Sequence, residues 1–194
     1  MTQGFHQRYC RVNLSTGERQ DIPIPTSVLR RYLGGVGLGA WLLHRESLAG
    51  VDPLAPEAPL IFSFSPLVGT AITTSAKFAT VAKSPLTGQL SDGLSSSRFA
   101  IAGKAMGVDA IVFVGRCAEA SEWVCGELRP TTHWGRSAHE TEAALSSEGC
   151  VAAIGVAGEN QVRFATISNG GRHAGRGGLG AVMGSKLLKA IVVR

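Results

Sequence analysis

The chain has 194 residues, of which 44% are hydrophobic and 17% are charged. This length and composition are sufficient for one large domain or two small ones with a buried core, and they exclude an intrinsically disordered chain. The net charge of +5 comes from 14 arginines and only five lysines. That ratio favours the shaped recognition of anions over a diffuse basic surface, with a simple compositional bias towards arginine as the alternative.

The four cysteines show no CxxC pair and no spacing typical of a zinc or iron–sulfur site; they are Cys10, Cys117, Cys125 and Cys150. We therefore expect free thiols in a reducing compartment. The segment MTQGFHQRYC lacks the pattern of a signal peptide, and no apolar stretch approaches the length that spans a membrane. The sequence thus predicts a cytoplasmic protein without a membrane partner, and the lack of like-charge runs predicts no nucleic-acid partner.

The first half of the chain alternates predicted strands with two short helices. YCRVNLSTGERQDIPIP predicts a β-hairpin, after which Thr26 or Ser27 would cap a helix that runs through Leu33. LGAWLLHRE predicts a second helix. PLIFSFSPLVG predicts a strand followed by a polar loop to Ala76, and KFATVAKSPLTG predicts a strand and a turn.

The second half repeats this mixture. We expect a polar loop over Leu94–Arg98, a Ser-capped helix in SSSRFAIAGKAMG and a buried strand in DAIVFVG. A hairpin over Glu122–Arg129 and a polar helix over His139–Ser147 follow. CVAAIGVAG and QVRFATIS predict strands, and a second polar loop over Gly170–Gly178 leads into a short last helix.

Two stretches of the chain share an order of features that indicates an internal duplication. KFATV and RFATI each lead through a Gly/Ser-rich loop to a short helix that ends in Met-Gly, and then to a strand that contains Ala-Ile-Val. We predict half-repeats at about 77–116 and 161–194, related by an approximate two-fold axis. Lys77 and Arg163 would then lie at matching strand starts, and one surface would face a ligand with two similar halves.

The segment GGRHAGRGGLG contains the strongest candidate for a binding site. Its glycines would let backbone N–H groups approach an anion, and the end of the following helix would add positive charge where Arg172 and Arg176 converge. The alternative is a glycine-rich turn that only allows close packing. The GxGxxG spacing at Gly175 lacks the strand and acidic residue of a dinucleotide site, and no catalytic triad or carboxylate pair is evident.

An ordered series of motifs runs along the chain: RVNLSTGERQDIPIP, RRYLGGVGLGAWLL, GVDPLAPEAPLIFSFSPLVGT, AKSPLTG, GVDAIVFVG, GVAGENQVRFATISN and GGRHAGRGGLGAVMGSKLLKAIVV. This series resembles the first domain of the tungsten-containing aldehyde:ferredoxin oxidoreductases. The resemblance covers essentially the whole chain. It implies a single α+β domain over 1–194, with mixed β-sheets, short helices and an internal duplication about an approximate two-fold.

The resemblance also implies a cofactor, tungsten or molybdenum held by two pterins whose phosphates are joined by magnesium. The cofactor-binding positions that it implies are Lys77, Ser95, Ser96, Arg172, His173, Ala174, Gly175, Arg176, Gly177 and Gly178. The sequence departs from the family at two places: Lys77 replaces an arginine, and Leu94–Ser97 (LSSS) replaces an Asn-Ser-Gly-Gly turn. Leu94 has no amide oxygen to offer magnesium.

In the family, further helical domains carry the cysteines of a [4Fe–4S] cluster and the acid/base residues, and the 194 residues contain none of these. Two hypotheses follow. The chain is the cofactor-binding part of an enzyme that oxidises aldehydes and passes electrons to ferredoxin, inactive without the missing domains or an iron–sulfur partner chain. Alternatively, it is a degenerate binding or structural module that no longer holds the pterins. Either form could self-associate through surface left uncovered.

Overall fold

The computed structural model describes residues 4–194, so the first three residues of the segment MTQGFHQRYC lie outside it. The chain forms an α+β fold with two six-stranded mixed sheets and six short helices. Among residues 4–194, no helix combines the length and hydrophobicity needed to cross a bilayer. The architecture confirms the α+β class expected from the sequence.

The first sheet and its helices form a first unit. Its elements are β1 (Arg8–Asn13), β2 (Arg19–Pro23), α1 (Thr26–Tyr32), α2 (Gly35–Glu46), β3 (Leu60–Phe64), β4 (Lys77–Lys83), β5 (Leu90–Ser96), α3 (Arg98–Ala105) and β6 (Ala110–Val114).

The second sheet and its helices form a second unit. Its elements are β7 (Ser121–Val124), β8 (Glu127–Pro130), α4 (Ala138–Leu145), β9 (Cys150–Ala153), α5 (Val156–Glu159), β10 (Ile167–Asn169), β11 (Arg172–Ala174), α6 (Leu179–Ser185) and β12 (Leu188–Val193).

The two sheets have the same topology. The first has the order β2-β1-β6-β3-β4-β5 and the second, read from its other edge, β8-β7-β12-β9-β10-β11. In each unit the first and last strands pair in parallel, and every other pairing is antiparallel. The fold is therefore duplicated strand by strand from β1 onwards, and the half-repeats predicted at about 77–116 and 161–194 lie inside these longer units.

The main hydrophobic core is shared by the two units. Buried aromatic rings of the first sheet pack on one another, and Phe113 of β6 meets Trp123 of β7 edge to face with 5.5 Å between ring centroids. A second cluster lies between the first sheet and helices α1 and α2, and a third includes Leu145 of α4. The central core thus takes residues from both sheets.

Several elements differ from those predicted. Leu94–Ser96, expected in a polar loop, forms the end of β5, where it pairs with β4. The strand expected over QVRFATIS is reduced to β10, and the expected loop over Gly170–Gly178 contains strand β11. Neither Thr26 nor Ser27 caps α1, because the cap position is Pro25 and no side chain bonds the first turn.

Candidate functional site

A small cavity forms where the two units meet. It has a volume of about 200 Å³, and its lining comes from β4 and β5 of the first unit and β11 of the second: Lys77, Leu94, Ser95, Ser96, Arg172 and His173. We call it the seam cavity. Five of these residues are among the positions that the resemblance implies for cofactor binding, so residues distant in the sequence converge on one place.

The close approach of β5 and β11 creates the seam. A Cβ atom placed on Gly93 would lie 3.2 Å from both the carbonyl carbon and the Cβ of Ala174. A side chain at this position would force β5 and β11 to shift by a few tenths of an ångström. Ala174, one of the predicted site residues, is fully buried at this contact and serves packing rather than ligand contact.

The turn between β10 and β11 brings Arg172 to the cavity. Gly170 and Gly171 both have positive φ (55° and 72°), as a two-residue hairpin turn of the type I′ requires. The carboxylate of Glu142 on α4 holds this turn, because it accepts a 2.7 Å hydrogen bond from the Gly170 amide and a further one from the Ser168 hydroxyl. A rigid support thus fixes the position of an exposed arginine.

The seam cavity has an excess of positive charge. Lys77 and Arg172 are exposed, and within the described part of the chain neither forms an ion pair with a carboxylate. His173 adds a ring nitrogen, Nδ1, which lies 3.2 Å from the Thr166 hydroxyl. Two cations that line one cavity without carboxylate partners are suited to an anion with several oxygens, such as a phosphate.

A buried hydrogen bond joins the two units behind the cavity. The Ser95 hydroxyl of β5 donates to Oδ1 of Asn169 on β10, with 3.0 Å between the oxygens. Asn169 is fully buried, and its Nδ2 has no hydrogen-bond partner among the described residues. A buried amide group without a partner costs about 1–3 kcal/mol, so the hydrogen bond to Ser95 offsets only part of the cost of burying Asn169.

The remaining predicted site residues lie outside the seam cavity. Arg176 and Gly175 are exposed beyond β11. Gly177 and Gly178 both have a φ of 72°, and a Cβ on Gly178 would lie 1.9 Å from the Arg163 carbonyl oxygen. These two glycines allow the segment before α6 to pack closely, which was the alternative interpretation of the glycine-rich stretch.

The contribution of the last helix to anion binding stays a prediction, although the helix begins in a packed segment. Its first turn is buried, and the Gly180 amide already donates to the Ala165 carbonyl at 3.0 Å. Arg163 also differs from expectation: it lies in the segment before β10, whereas Lys77 begins β4, so the two are not at matching strand starts. The sequence repeat FAT misled here because only its first copy lies within a strand.

Equal spacing from the helix caps identifies the true equivalents. Ser97 caps α3 and Gly178 caps α6. Gly93 and Ala174, which touch at the seam, precede these caps by the same number of residues. Leu94–Ser96 is thus equivalent to Gly175–Gly177. By the same spacing Ser91 is equivalent to Arg172, and the Ser91 hydroxyl lies close to Gly177.

A larger cleft, of about 380 Å³, lies at the C-terminal end of α2 and includes Leu43, Leu48 and Leu90 in its lining. Its lysine, Lys83, already donates to the Val51 carbonyl at 2.6 Å. This cleft lacks the pair of unpaired cations found in the seam cavity, so it is the weaker candidate for an anion site.

Asn169 is the residue at the seam that sequence reasoning missed. An asparagine followed by two glycines indicates a hairpin turn, and that signal was available in SNGG. Its pairing with Ser95 was not, because the two residues lie on different sheets and only the fold brings them together.

Comparisons with known proteins agree with this fold. The sequence model of the family described as aldehyde ferredoxin oxidoreductase, N-terminal domain, matches residues 9–194. The chain is 44% identical over 198 residues to the tungsten-containing aldehyde ferredoxin oxidoreductase of Pyrococcus furiosus, an alignment that covers 96% of this chain and 33% of that protein. It is 32% identical over 210 residues to the aliphatic sulfonate oxidoreductase, WOR-like subunit, of the same organism, covering 94% and 33%.

Among solved structures, the chain is similar to one chain of the active site complex BamBC of benzoyl coenzyme A reductase in complex with 1,5 dienoyl-CoA. The TM-score is 0.94 at 34% sequence identity, and the match covers 100% of this chain and 31% of that chain. The chain therefore spans about one third of the length of these relatives.

Proposed function

The chain belongs to the family of aldehyde ferredoxin oxidoreductase N-terminal domains, and from this premise we propose that it binds the phosphates of a tungsten or molybdenum bis-pterin cofactor at the seam between its two units. The observation that carries the proposal is the convergence of Lys77 and Arg172 on one cavity without carboxylate partners. Those cations would hold one phosphate group, and Ser96 would contribute a hydroxyl.

The residues present fit a pterin phosphate. Lys77 and Arg172 supply hydrogen-bond donors with positive charge, which suit a phosphate. Leu94, 58% exposed at the cavity, offers apolar surface to a flat ring. Among residues 4–194 no cluster of three or more His, Cys, Asp or Glu side chains is arranged to hold a metal, so we propose that this domain holds the pterins and that they hold the metal. Magnesium would take its oxygens from phosphate and water.

The duplicated fold supports a second, equivalent subsite. Arg176 occupies the position equivalent to Ser95, and Gly175–Gly177 replaces Leu94–Ser96. A ligand with two similar halves would place one half near Lys77 and the other near Arg176. The second subsite is the less positive of the two, because Ser91 and Asp92 take the places of Arg172 and His173.

When bound, the cofactor would supply the redox-active metal for the conversion of an aldehyde and water to a carboxylate. This chain's residues would bind and orient it. We propose that the further domains of the relatives, supplied by more of the polypeptide or by a partner chain, provide the iron–sulfur cluster, the acid/base groups and the route to ferredoxin. Aldehyde oxidation is proposed because the relative at 44% identity is an aldehyde ferredoxin oxidoreductase.

A second candidate function is a module that has lost the cofactor. Leu94 favours it, because this side chain offers no oxygen where the family has an amide. Ser96 and Ser97 add side chains where the family has glycines. The two candidates differ in one measurable property, since only a cofactor-binding domain should retain phosphate affinity at the seam cavity.

The test is isothermal titration of the 194-residue chain with pyrophosphate. We expect binding by the wild type and a loss of about 1.5–3 kcal/mol in Arg172→Ala, the range for hydrogen bonds to charged groups. Arg30→Ala is the matched control, since Arg30 is an exposed arginine on α1 and should leave the affinity unchanged.

Equal pyrophosphate affinities in the wild type and Arg172→Ala would refute the seam cavity as the phosphate site. Absence of any binding by the folded wild type would favour the module that has lost the cofactor. Thermal melts of all three proteins establish that each is folded, and we expect similar melting temperatures because exposed arginines contribute little to folding.

A further inference from the structure

We propose that Ser96 is a positioning residue of the phosphate site, because its hydroxyl fixes the start of β4 and thereby holds Lys77 at the seam cavity. This inference rests on the function proposed above, since it concerns the same cavity. It gives a role to a departure from the family, in which a glycine stands at this position. The hydroxyl that Ser96 contributes to the site acts through the backbone next to Lys77 and not through contact with the phosphate.

A hydrogen bond links Ser96 to the residue that precedes Lys77. The Ser96 hydroxyl on β5 donates to the carbonyl oxygen of Ala76, with 3.1 Å between the two oxygens. Ser96 and Lys77 are also partners in the β4–β5 ladder, so this side chain holds the residue next to its own partner. A serine hydroxyl has one proton to donate, and Ala76 receives it. Ser96 therefore anchors the chain at the point where β4 begins.

The chain that leads into β4 has no comparable second anchor. Residues 65–76 connect β3 to β4, and residues 69–74 are all exposed. Within the described part of the chain, the hydrogen bonds of residues 65–76 are local except for the bond from Ser96 to Ala76. Segments with exposed backbone and few contacts open easily, so the first residue of β4 depends on this bond for a fixed position.

Lys77 is the residue whose position this bond controls. It is the first residue of β4, it is exposed, and it lines the seam cavity together with Arg172. A lysine ammonium is a point charge on a flexible stem, whereas an arginine presents a planar fork of donors that is already organised for an oxyanion. A fixed backbone at the base of the side chain thus offsets part of what is lost where Lys77 replaces the arginine of the family.

The two cations of the cavity have separate supports. The turn before Arg172 is held by Glu142, which accepts a hydrogen bond of 2.7 Å from the Gly170 amide. Ser96 forms no part of that arrangement. Loss of the Ser96 hydroxyl should therefore act on Lys77 and leave Arg172 in place.

The experiment is a titration of the 194-residue chain with pyrophosphate, followed by the NMR signals of the backbone amides. Ser96→Ala removes the hydroxyl and leaves the backbone pairing of β5 with β4. The affinity should fall with the fraction of chains in which Lys77 is correctly placed, and one hydrogen bond changes such a fraction by about two- to tenfold. Ser96→Thr keeps a hydroxyl and should restore an affinity close to that of the wild type.

Thr70→Val is the matched control. The Thr70 hydroxyl also donates to a backbone carbonyl, that of Leu67 at 2.7 Å, but this bond lies within residues 65–76 and does not reach β5. The variant should leave the pyrophosphate affinity unchanged. If Ser96→Ala fails to fold, as judged by its thermal melt, Ser96→Gly removes the same hydroxyl and restores the residue of the family.

Two double variants distinguish the positioning of Lys77 from a general loss of structure. In a Lys77→Ala background the cation that Ser96 positions is absent, so Ser96→Ala should cause no further loss of affinity. In an Arg172→Ala background Lys77 is still present, so Ser96→Ala should weaken pyrophosphate binding by the same factor as in the wild type.

The outcomes separate this inference from the proposed function. An unchanged affinity in Ser96→Ala, beside a loss in Arg172→Ala, would overturn the inference and leave the phosphate site in place. An equal loss from Ser96→Ala with and without Lys77 would also overturn it, since Ser96 would then act independently of the lysine. A Ser96→Thr variant as weak as Ser96→Ala would overturn it as well. No binding of pyrophosphate by the folded wild type would refute the proposed function together with the inference.

Discussion

Lys186 is a buried charge in the shared core that forms no ion pair among residues 4–194, although the charge of Glu57 partly compensates it. Its Nζ donates to the carbonyl oxygens of Pro56 and Gly115, at 2.9 and 3.2 Å, and the side chain is fully buried. Burial lowers the pKa of Lys186 from 10.5 to about 8. Through these hydrogen bonds Lys186 connects the end of α6 to the loop after β6 and to the loop before β3. Burying its charge costs desolvation free energy.

This lysine makes stability depend on pH. Because its pKa is lower in the folded chain than in the unfolded chain, the unfolded chain binds more protons between pH 8 and 10.5, so the free energy of unfolding should rise as pH increases through this window. The full effect corresponds to about 3 kcal/mol at most. Four groups oppose this trend, because burial raises their pKa values in the folded chain: the thiols of Cys10, Cys117 and Cys150, and Tyr9, whose pKa rises to about 12. The contribution of Lys186 is therefore measured as the difference between the wild type and a variant that lacks the amine.

Urea unfolding of the wild type and Lys186→Met at a series of pH values measures this dependence. Lys186→Met should remove the rise while keeping a similar volume in the core. A rise of the same size in both proteins would assign the pH dependence to other groups and would contradict the role given to Lys186.

At the level of elements, the hydrophobic pattern predicted the buried strands well. It failed where tertiary contacts rather than the local sequence determine whether a segment forms a strand. β6 is a continuous apolar run, β12 is apolar except for Lys189, and both strands were expected. The end of β5, Leu94–Ser96, was expected in a polar loop. Serine and glycine are poor strand formers, yet β5 pairs with β4 over seven residues. β10 is short because the segment before it crosses α6, as the bond from Gly180 to Ala165 shows.

The same limit applies to the site. The charges of Lys77 and Arg172 could be identified from the sequence, whereas their meeting depends on the contact between Gly93 and Ala174, which joins strands of two sheets. The convergence on one cavity of residues from β4, β5 and β11 is a tertiary property. The prediction of a polar loop over 170–178 was partly correct: its two-residue turn is present, but the rest of the segment includes a strand.

The segment between β11 and α6 provides a test of close packing. Gly178 and Gly88 share a φ of 72°, but a Cβ on Gly178 would meet the Arg163 carbonyl oxygen, whereas a Cβ on Gly88 would meet nothing within 4 Å. Gly88→Ala should therefore show only the backbone strain, about 1–2 kcal/mol. Gly178→Ala should lose about 1–3 kcal/mol more, the range for overpacking.

Chemical unfolding monitored by circular dichroism compares the two variants. Equal destabilisation would indicate that Gly178 is needed for its dihedral angle alone. In that case the steric part of the account would be wrong.

For the whole molecule, the duplicated topology explains why one domain can present a ligand site at its centre. The equivalent strands β5 and β11 meet across the seam, and both are followed by a capped helix and a central strand. Comparison of the two halves of the sequence detected the duplication only in the later strands, because the sequences of β1 and β7 share no recognisable pattern. The two subsites then differ in charge, because Lys77 and Arg172 lie on one side and Asp92 on the other.

The relatives are about three times as long as this chain, so the proposed cofactor would lie between this domain and parts supplied by more of the polypeptide or by a partner chain. Exposed leucines such as Leu94 at the cavity would then be covered by ligand or by those parts. On this account the 194-residue chain needs only its own residues to hold a phosphate, and that step can be examined without the rest of the enzyme.

The most direct measurement is a crystal structure of the chain grown with pyrophosphate. The account predicts a phosphate group in the seam cavity, within hydrogen-bond distance of the Lys77 ammonium and the Arg172 guanidinium, and a second, weaker phosphate near Arg176. Pyrophosphate bound only elsewhere, for example beside Arg129 and Arg194 in the cleft at the end of β7, would contradict it, as would an empty seam cavity at saturating pyrophosphate.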